Sequence, residues 1–221
     1  MTSVLLVDDD TAVRTSLRDI IESSTDLTVV GDAWNGHQAL DLARRLQPDI
    51  VVMDIRMPGM DGIAATRALR ALASPPAVLV LTTFGHEDHY VEQALDAGAV
   101  GFLLKDTPPQ DLVRALHAVA AGAAMFTPEL TDRVIAAVTS DAPRPHSTRE
   151  AALVADLTPR QRDVLALLAQ GMSNAAIATA LGMTEGTVKG YVSQVLSRLG
   201  ADNRVQAARI AYLADLDPDH T

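Results

Sequence analysis

Apolar residues follow two alternating rhythms over roughly the first 125 positions. Short unbroken runs stand at residues 4–7, 28–30, 50–53, 77–81 and 101–104. Between them, apolar positions recur at three- and four-residue spacing over roughly 11–23, 35–46, 61–72, 86–97 and 108–121. The runs have strand length and the spaced segments have helical period, so the reading is five strands, each followed by a helix. Runs that are apolar throughout belong to strands buried on both faces, which implies a parallel sheet covered by helices. Several helix ends carry their own cues. Asp10 and Asn35 suit N-caps, Pro108 after Thr107 suits a first turn, and Gly98 suits a stop.

The pattern then changes. A helical segment is expected at 127–138, followed over 139–148 by a polar stretch with Pro143 and Pro145 that reads as a linker. Everything beyond is helical. Thr158-Pro159-Arg160-Gln161 combines an N-cap, a first-turn proline and a Gln that closes a capping box. That helix should end at Gly171. A second should run from Ser173 to Gly182, and a third from Thr184 to Gly200. A fourth should start at Asp202 or Asn203 and run to about Ala214. The second and third have the length and spacing of a helix-turn-helix. The expected organisation is a first domain over 3–120, a connecting helix and linker over 121–152, and a four-helix all-α domain over 153–217.

Composition adds limits. At 221 residues with 48% hydrophobic and 21% charged residues, the chain has the makeup of a globular protein. It contains no cysteine, which excludes disulfides and thiolate metal sites. No apolar stretch approaches the ~18 residues of a membrane span, and the N-terminus lacks the features of a secretory signal. A cytoplasmic location is expected. The net charge of −10 is unevenly placed: residues 1–138 carry −9, whereas residues 156–214 carry +2. Two domains with different partners account for that split.

The chemistry gathers at the ends of the runs. In a parallel α/β sheet, ligands bind beyond the carboxyl ends of the strands. There the first run ends in Asp8-Asp9, the third in Asp54, the fourth in Thr82-Thr83 and the fifth in Lys105. Converging carboxylates repel unless a hard cation neutralises them, and Mg²⁺ takes oxygen ligands of this kind. A lysine and a hydroxyl beside them suit a transferred phosphoryl group, with Asp54 as the nucleophile that becomes an acyl phosphate.

These motifs carry a resemblance. Through Val7-Asp8-Asp9, the stretch from Met53-Asp54 to Met57-Pro58-Gly59-Met60-Asp61-Gly62, Leu81-Thr82 and Phe102-Leu103-Leu104-Lys105, residues 3–120 resemble a two-component receiver domain. The resemblance implies a five-stranded (βα)5 flavodoxin-like fold, with Asp54 as phospho-acceptor and Asp8 and Asp9 as Mg²⁺ acids. It adds the Arg56 backbone carbonyl as a further metal ligand, Thr82 and Lys105 as phosphate readers, and Phe102 as a switch aromatic. It also implies a sensor histidine kinase as phosphoryl donor. Phe84, two residues after Thr82, offers nothing to orient a hydrolytic water, so a long-lived phosphoryl group is expected.

The third helix of the second domain places Val188, Val192, Val195 and Leu199 on one face, leaving Thr187, Lys189, Ser193, Gln194 and Arg198 outward. Such a helix suits a major groove. Leu157-Thr158-Pro159-Arg160-Gln161, Gly171-Met172-Ser173-Asn174, Ile177-Ala178, Thr187-Val188-Lys189 and Leu199-Gly200-Ala201 resemble the LuxR-type helix-turn-helix, and the whole chain resembles a NarL/FixJ-type response regulator. That implies a transcription regulator acting as a homodimer on promoter DNA, with RNA polymerase as a further partner. Val205, Ile210, Tyr212 and Leu213 are the candidate dimer contacts, although some of them must pack within the domain itself. Two departures stand out: Ala176 leaves Ser173 without a reciprocal capping partner, and Gly190 lies within the recognition helix. Two rival readings remain. One is a regulator that works without phosphorylation. The other is a phosphatase of the haloacid-dehalogenase type, although Asp8-Asp9-Asp10-Thr11-Ala12 lacks the residues that usually follow its acids.

Overall fold

The computed structural model of the chain describes residues 1–83, 89–126, 148–214 and 216. The expected helix at 127–138, nearly all of the linker and Phe84 lie outside the described residues. The described chain forms two compact units, the first comprising Met1–Ala120 with a short following strand, the second the helices from Thr148 onward.

The first unit alternates β1 (Thr2–Val7), α1 (Thr11–Glu22), β2 (Leu27–Ala33), α2 (Gly36–Leu46), β3 (Ile50–Met53), α3 (Gly62–Arg70), β4 (Ala77–Thr82), α4 (His89–Ala97), β5 (Gly101–Leu104) and α5 (Pro109–Ala120). All strand pairs are parallel, in the order β2-β1-β3-β4-β5. β3 and β5 are buried at every position, as unbroken apolar runs require. Val4, Leu6, Ile50, Val52, Leu79, Leu81 and Leu103 pack with Leu17, Ile21, Leu112 and Leu116 of α1 and α5 in one core.

Three details differ from the sequence reading. β2 extends through Gly31, Asp32 and Ala33, because these residues keep pairing with Leu5, Leu6 and Val7 after a register shift at Val4/Leu5. Ladder hydrogen bonds there override the polar side chain. A two-residue strand, β6 (Met125–Phe126), pairs with β5 at the sheet edge. Gly101 admits it: a Cβ there would stand 2.6 Å from the Met125 carbonyl oxygen.

The third difference lies in the second unit, where a further helix, α6 (Thr148–Ala155), precedes the four expected ones. It places Val154 in the core beside Leu157, Val164, Leu168, Val188, Val195 and Leu199. The four expected helices follow as α7 (Pro159–Ala169), α8 (Asn174–Leu181), α9 (Glu185–Leu199) and α10 (Arg204–Leu213). Their caps are the ones read from sequence. Thr158 and Gln161 form the full capping box, and Ser173, Thr184 and Asn203 each accept a hydrogen bond from the third residue on. Gly182 and Gly200 close α8 and α9 in the left-handed conformation, which glycine adopts without penalty.

Candidate phospho-acceptor site and nucleic-acid interface

Three chemically important residues stand one position beyond their strands, each tied to a neighbour. The Asp8 amide donates to the Ala33 carbonyl at 3.0 Å, Asp54 to Val7 at 2.8 Å, and Lys105 to Thr82 at 2.7 Å. The ladders of β2, β1 and β4 therefore fix where Asp8, Asp54 and Lys105 begin. β1 and β3, which carry the two acids, are adjacent, and chain order reverses between them. This is where such sheets bind ligands.

Asp8 is 1% exposed and Asp54 6%. Carboxylates buried to this degree need a neutralising partner. Lys105 Nζ supplies it, 2.6 Å from Asp8 Oδ2 and 3.3 Å from Asp54 Oδ2. Burial nevertheless raises the Asp54 carboxyl above its ordinary value, and Asp8 pushes in the same direction against the pull of Lys105. For Lys105 burial disfavours the charge, but the hydrogen bond to Asp8 and the charges of Asp54 and Asp8 outweigh it and hold its pKa raised.

Asp8, Asp9 and Asp54 each offer an oxygen, and these atoms lie within 4.8 Å of one another. An all-carboxylate set at that separation fits a hard divalent cation. Thr82 ends β4 half-buried and its hydroxyl bonds only weakly, at 3.4 Å, to the Thr83 carbonyl. Thr83 is exposed and accepts from the Arg56 guanidinium at 3.1 Å. Phe102 is fully buried on β5, paired in register with Val80.

The turn after Asp54 is held from below. Gly62 donates to the Ile55 carbonyl at 2.8 Å, and a Cβ at Gly62 would overlap the Asp54 carbonyl oxygen. Asp61 caps α3 through the Ala64 amide. One interaction went unread in the sequence: Arg14 of α1 donates to the Asp8 carbonyl at 2.6 Å. An arginine on a helix face gives no sequence cue that it turns back toward a strand end.

In the second unit, Val188, Val195 and Leu199 face the core. Thr187, Lys189, Ser193, Gln194 and Arg198 are all exposed, as expected. Most are engaged locally: Lys189 pairs with Glu185 at 3.0 Å, Gln194 accepts from Gln161 at 3.2 Å, and Arg198 donates to the Asp156 carbonyl at 3.1 Å. Gly190 lies on the outward side, with no atom within 4 Å of a Cβ built there. Of the candidate dimer contacts, Tyr212 is 57% exposed. Leu213 is buried within its own unit, and Ile210, partly buried, packs against the core there, so Leu213 is among the positions that pack internally. Val205 is partly buried.

Comparison with known proteins agrees with this geometry. Residues 4–117 match the response regulator receiver domain, and residues 155–211 match the bacterial regulatory proteins of the luxR family. The chain is a NarL-type two-component response regulator. It is 41% identical over 206 residues to the nitrate/nitrite response regulator protein NarL of Escherichia coli, covering 93% of each chain. It is 36% identical over 213 residues to the response regulator protein VraR of Staphylococcus aureus, covering 96% of this chain and 97% of that one. Among solved structures, the response regulator ChrA of a heme-sensing two-component system matches at 38% identity and a TM-score of 0.52, covering 97% of this chain and 98% of that one. Receiver and LuxR-type DNA-binding domains thus occur in the expected order, and the chain is a transcription regulator. Among the described residues no helix is long and apolar enough to cross a membrane.

Proposed function

We propose that this regulator is switched by phosphorylation of Asp54 and then binds promoter DNA as a dimer. The observation that carries the reading is the convergence of Asp54, Asp8, Asp9 and Lys105 at one sheet edge.

In the proposed step a carboxylate oxygen of Asp54 attacks the phosphorus of a sensor kinase phosphohistidine. The bond to the imidazole nitrogen breaks, that nitrogen keeps the electron pair, and Asp54 becomes an acyl phosphate. Lys105 is within reach of Asp54 and supplies a compact positive charge to the phosphoryl oxygens. Thr82, whose hydroxyl is only weakly engaged, turns to a phosphoryl oxygen, and Phe102 on the neighbouring strand repacks with it. Asp8, Asp9, Asp54 and the Arg56 carbonyl would hold Mg²⁺, which when bound neutralises the charge building on the phosphoryl group. The only reactions assigned to the protein are gain and loss of its own phosphoryl group.

In the second domain α9 enters the major groove, with Thr187, Lys189, Ser193 and Gln194 toward the duplex. Few basic residues mean few phosphate contacts per copy, so two half-sites bound by a dimer supply the affinity. The exposed Tyr212 and the partly buried Val205 and Ile210 of α10 are the dimer contacts in this reading, and the cytoplasm is the expected setting.

Incubation with acetyl phosphate and Mg²⁺, followed by intact mass analysis, tests the acceptor. One phosphoryl adduct on the parent and none on Asp54→Asn is expected. An adduct that survives Asp54→Asn would refute the assignment.

A further inference from the structure

The Asp8 carbonyl belongs to the peptide unit that joins Asp8 to Asp9. That unit is planar, so a hydrogen bond to its oxygen fixes the orientation of the backbone on both sides. The bond comes from Arg14 Nη1, at 2.6 Å. Asp8 has other constraints: its amide is held by Ala33, one carboxylate oxygen accepts from the Asp10 amide at 3.0 Å, and the other meets Lys105. Asp9 has none of these. Its side chain is exposed, and among the described residues it makes no hydrogen bond or ion pair. Its place beside Asp8 and Asp54 is therefore set by the backbone alone.

Arg14 is built to hold that backbone. Its side chain is 11% exposed, and its guanidinium is used on three sides. Besides the Asp8 carbonyl, Nη2 donates to Thr11 Oγ1 at 2.9 Å and Nε pairs with Asp32 Oδ2 at 3.2 Å. Asp32, near the end of β2, neutralises a charge that would otherwise repel a cation at the acidic site. A planar fork with fixed donors meets all three partners at once, which a lysine ammonium on a flexible stem does not do. Arg18, one turn along α1, pairs with the same Asp32 at 2.9 Å, but its other bonds go to Glu22 and the Val29 carbonyl. It shares the ion-pair network without touching the acidic turn.

We propose that Arg14 is a positioning residue that orients the Asp8–Asp9 peptide so that Asp9 faces the metal. This rests on the reading of Asp8, Asp9 and Asp54 as a Mg²⁺ site. Loss of a group that orients metal ligands from behind typically weakens metal affinity by about 10–100-fold.

The test is Mg²⁺ titration of the full chain by calorimetry. Trp34 fluorescence is a second readout, since this single tryptophan follows Ala33, the residue bonded to Asp8. Thermal midpoints are measured in parallel without metal. Arg14→Met and Arg14→Lys are both expected to weaken Mg²⁺ binding by ~10-fold or more. Arg18→Met is expected to lower the midpoint while leaving Mg²⁺ affinity at the parent value. Parent-like Mg²⁺ affinity in Arg14→Met, whatever its midpoint, would overturn the inference, as would equal losses in Arg14→Met and Arg18→Met. Should Arg14→Met not fold, Arg14→Lys decides by the same criterion, because it keeps the positive charge while losing the planar fork. A parent that binds no Mg²⁺ removes the metal reading and this inference with it. A parent that binds, with Arg14 variants that bind equally well, removes this inference alone.

Discussion

Gly62 and Asp54 form the tightest dependency at the scale of single residues. A methyl group at Gly62 has no room beside the Asp54 carbonyl, so the turn must shift. Gly62→Ala is expected to cost about 1–3 kcal/mol in denaturant unfolding and to abolish labelling by acetyl phosphate. Asp54 itself opposes folding when no metal is bound. Its folded pKa is raised, so the folded state holds that proton more tightly than the unfolded chain does. Its unfavourable contribution is absent below the ordinary carboxyl range, grows as pH rises, and is complete above the raised value. Metal-free Asp54→Asn should therefore unfold at a higher temperature than the parent at pH 7, with the gap closing toward pH 4. Asp8-Asp9, Asp54 and Lys105 were legible in the sequence because they directly follow apolar runs, and runs end at the same edge of a parallel sheet. Arg14 and Asp32 were not. A polar residue on a helix face or strand end reads as solvated unless its partner's place in space is known.

At the scale of elements, capping chemistry made the helices legible. Thr158, Ser173, Thr184 and Asn203 begin α7 to α10 where their hydroxyl or amide oxygens meet the third residue's amide. α6 escaped because it directly follows a proline-bearing polar stretch and its eight residues spell no clear apolar face. β6 escaped because two residues cannot display a period. The buried state of Leu213 was equally invisible, since a short amphipathic helix does not say which apolar positions its own domain consumes. Recognition helix α9 carries an avoidable weakness in Gly190, whose missing side chain would meet nothing. Gly190→Ala is expected to stabilise the protein by up to ~1 kcal/mol, read as a raised unfolding midpoint of the second domain. If the midpoint falls instead, the helix is not regular at that position.

At the scale of the whole molecule, a strongly acidic first domain and a second domain of near-balanced charge divide the labour. The acidic first domain concentrates its carboxylates where a cation and a phosphoryl group can meet them. The second presents α9 with Lys189 paired to Glu185, an exposed pair of little stabilising value that DNA phosphates can replace. The central claim is that charge placed on Asp54 changes what the second domain does. Coupling between two such sites is commonly worth about 5–150-fold in affinity. The most direct measurement is the affinity of the full chain for its promoter DNA, selected from genomic fragments, with and without acetyl phosphate at fixed salt. Tighter binding by the treated parent, within that range, and no response in Asp54→Asn is the predicted result. Identical affinities for treated and untreated parent, or an equal response in Asp54→Asn, would contradict it.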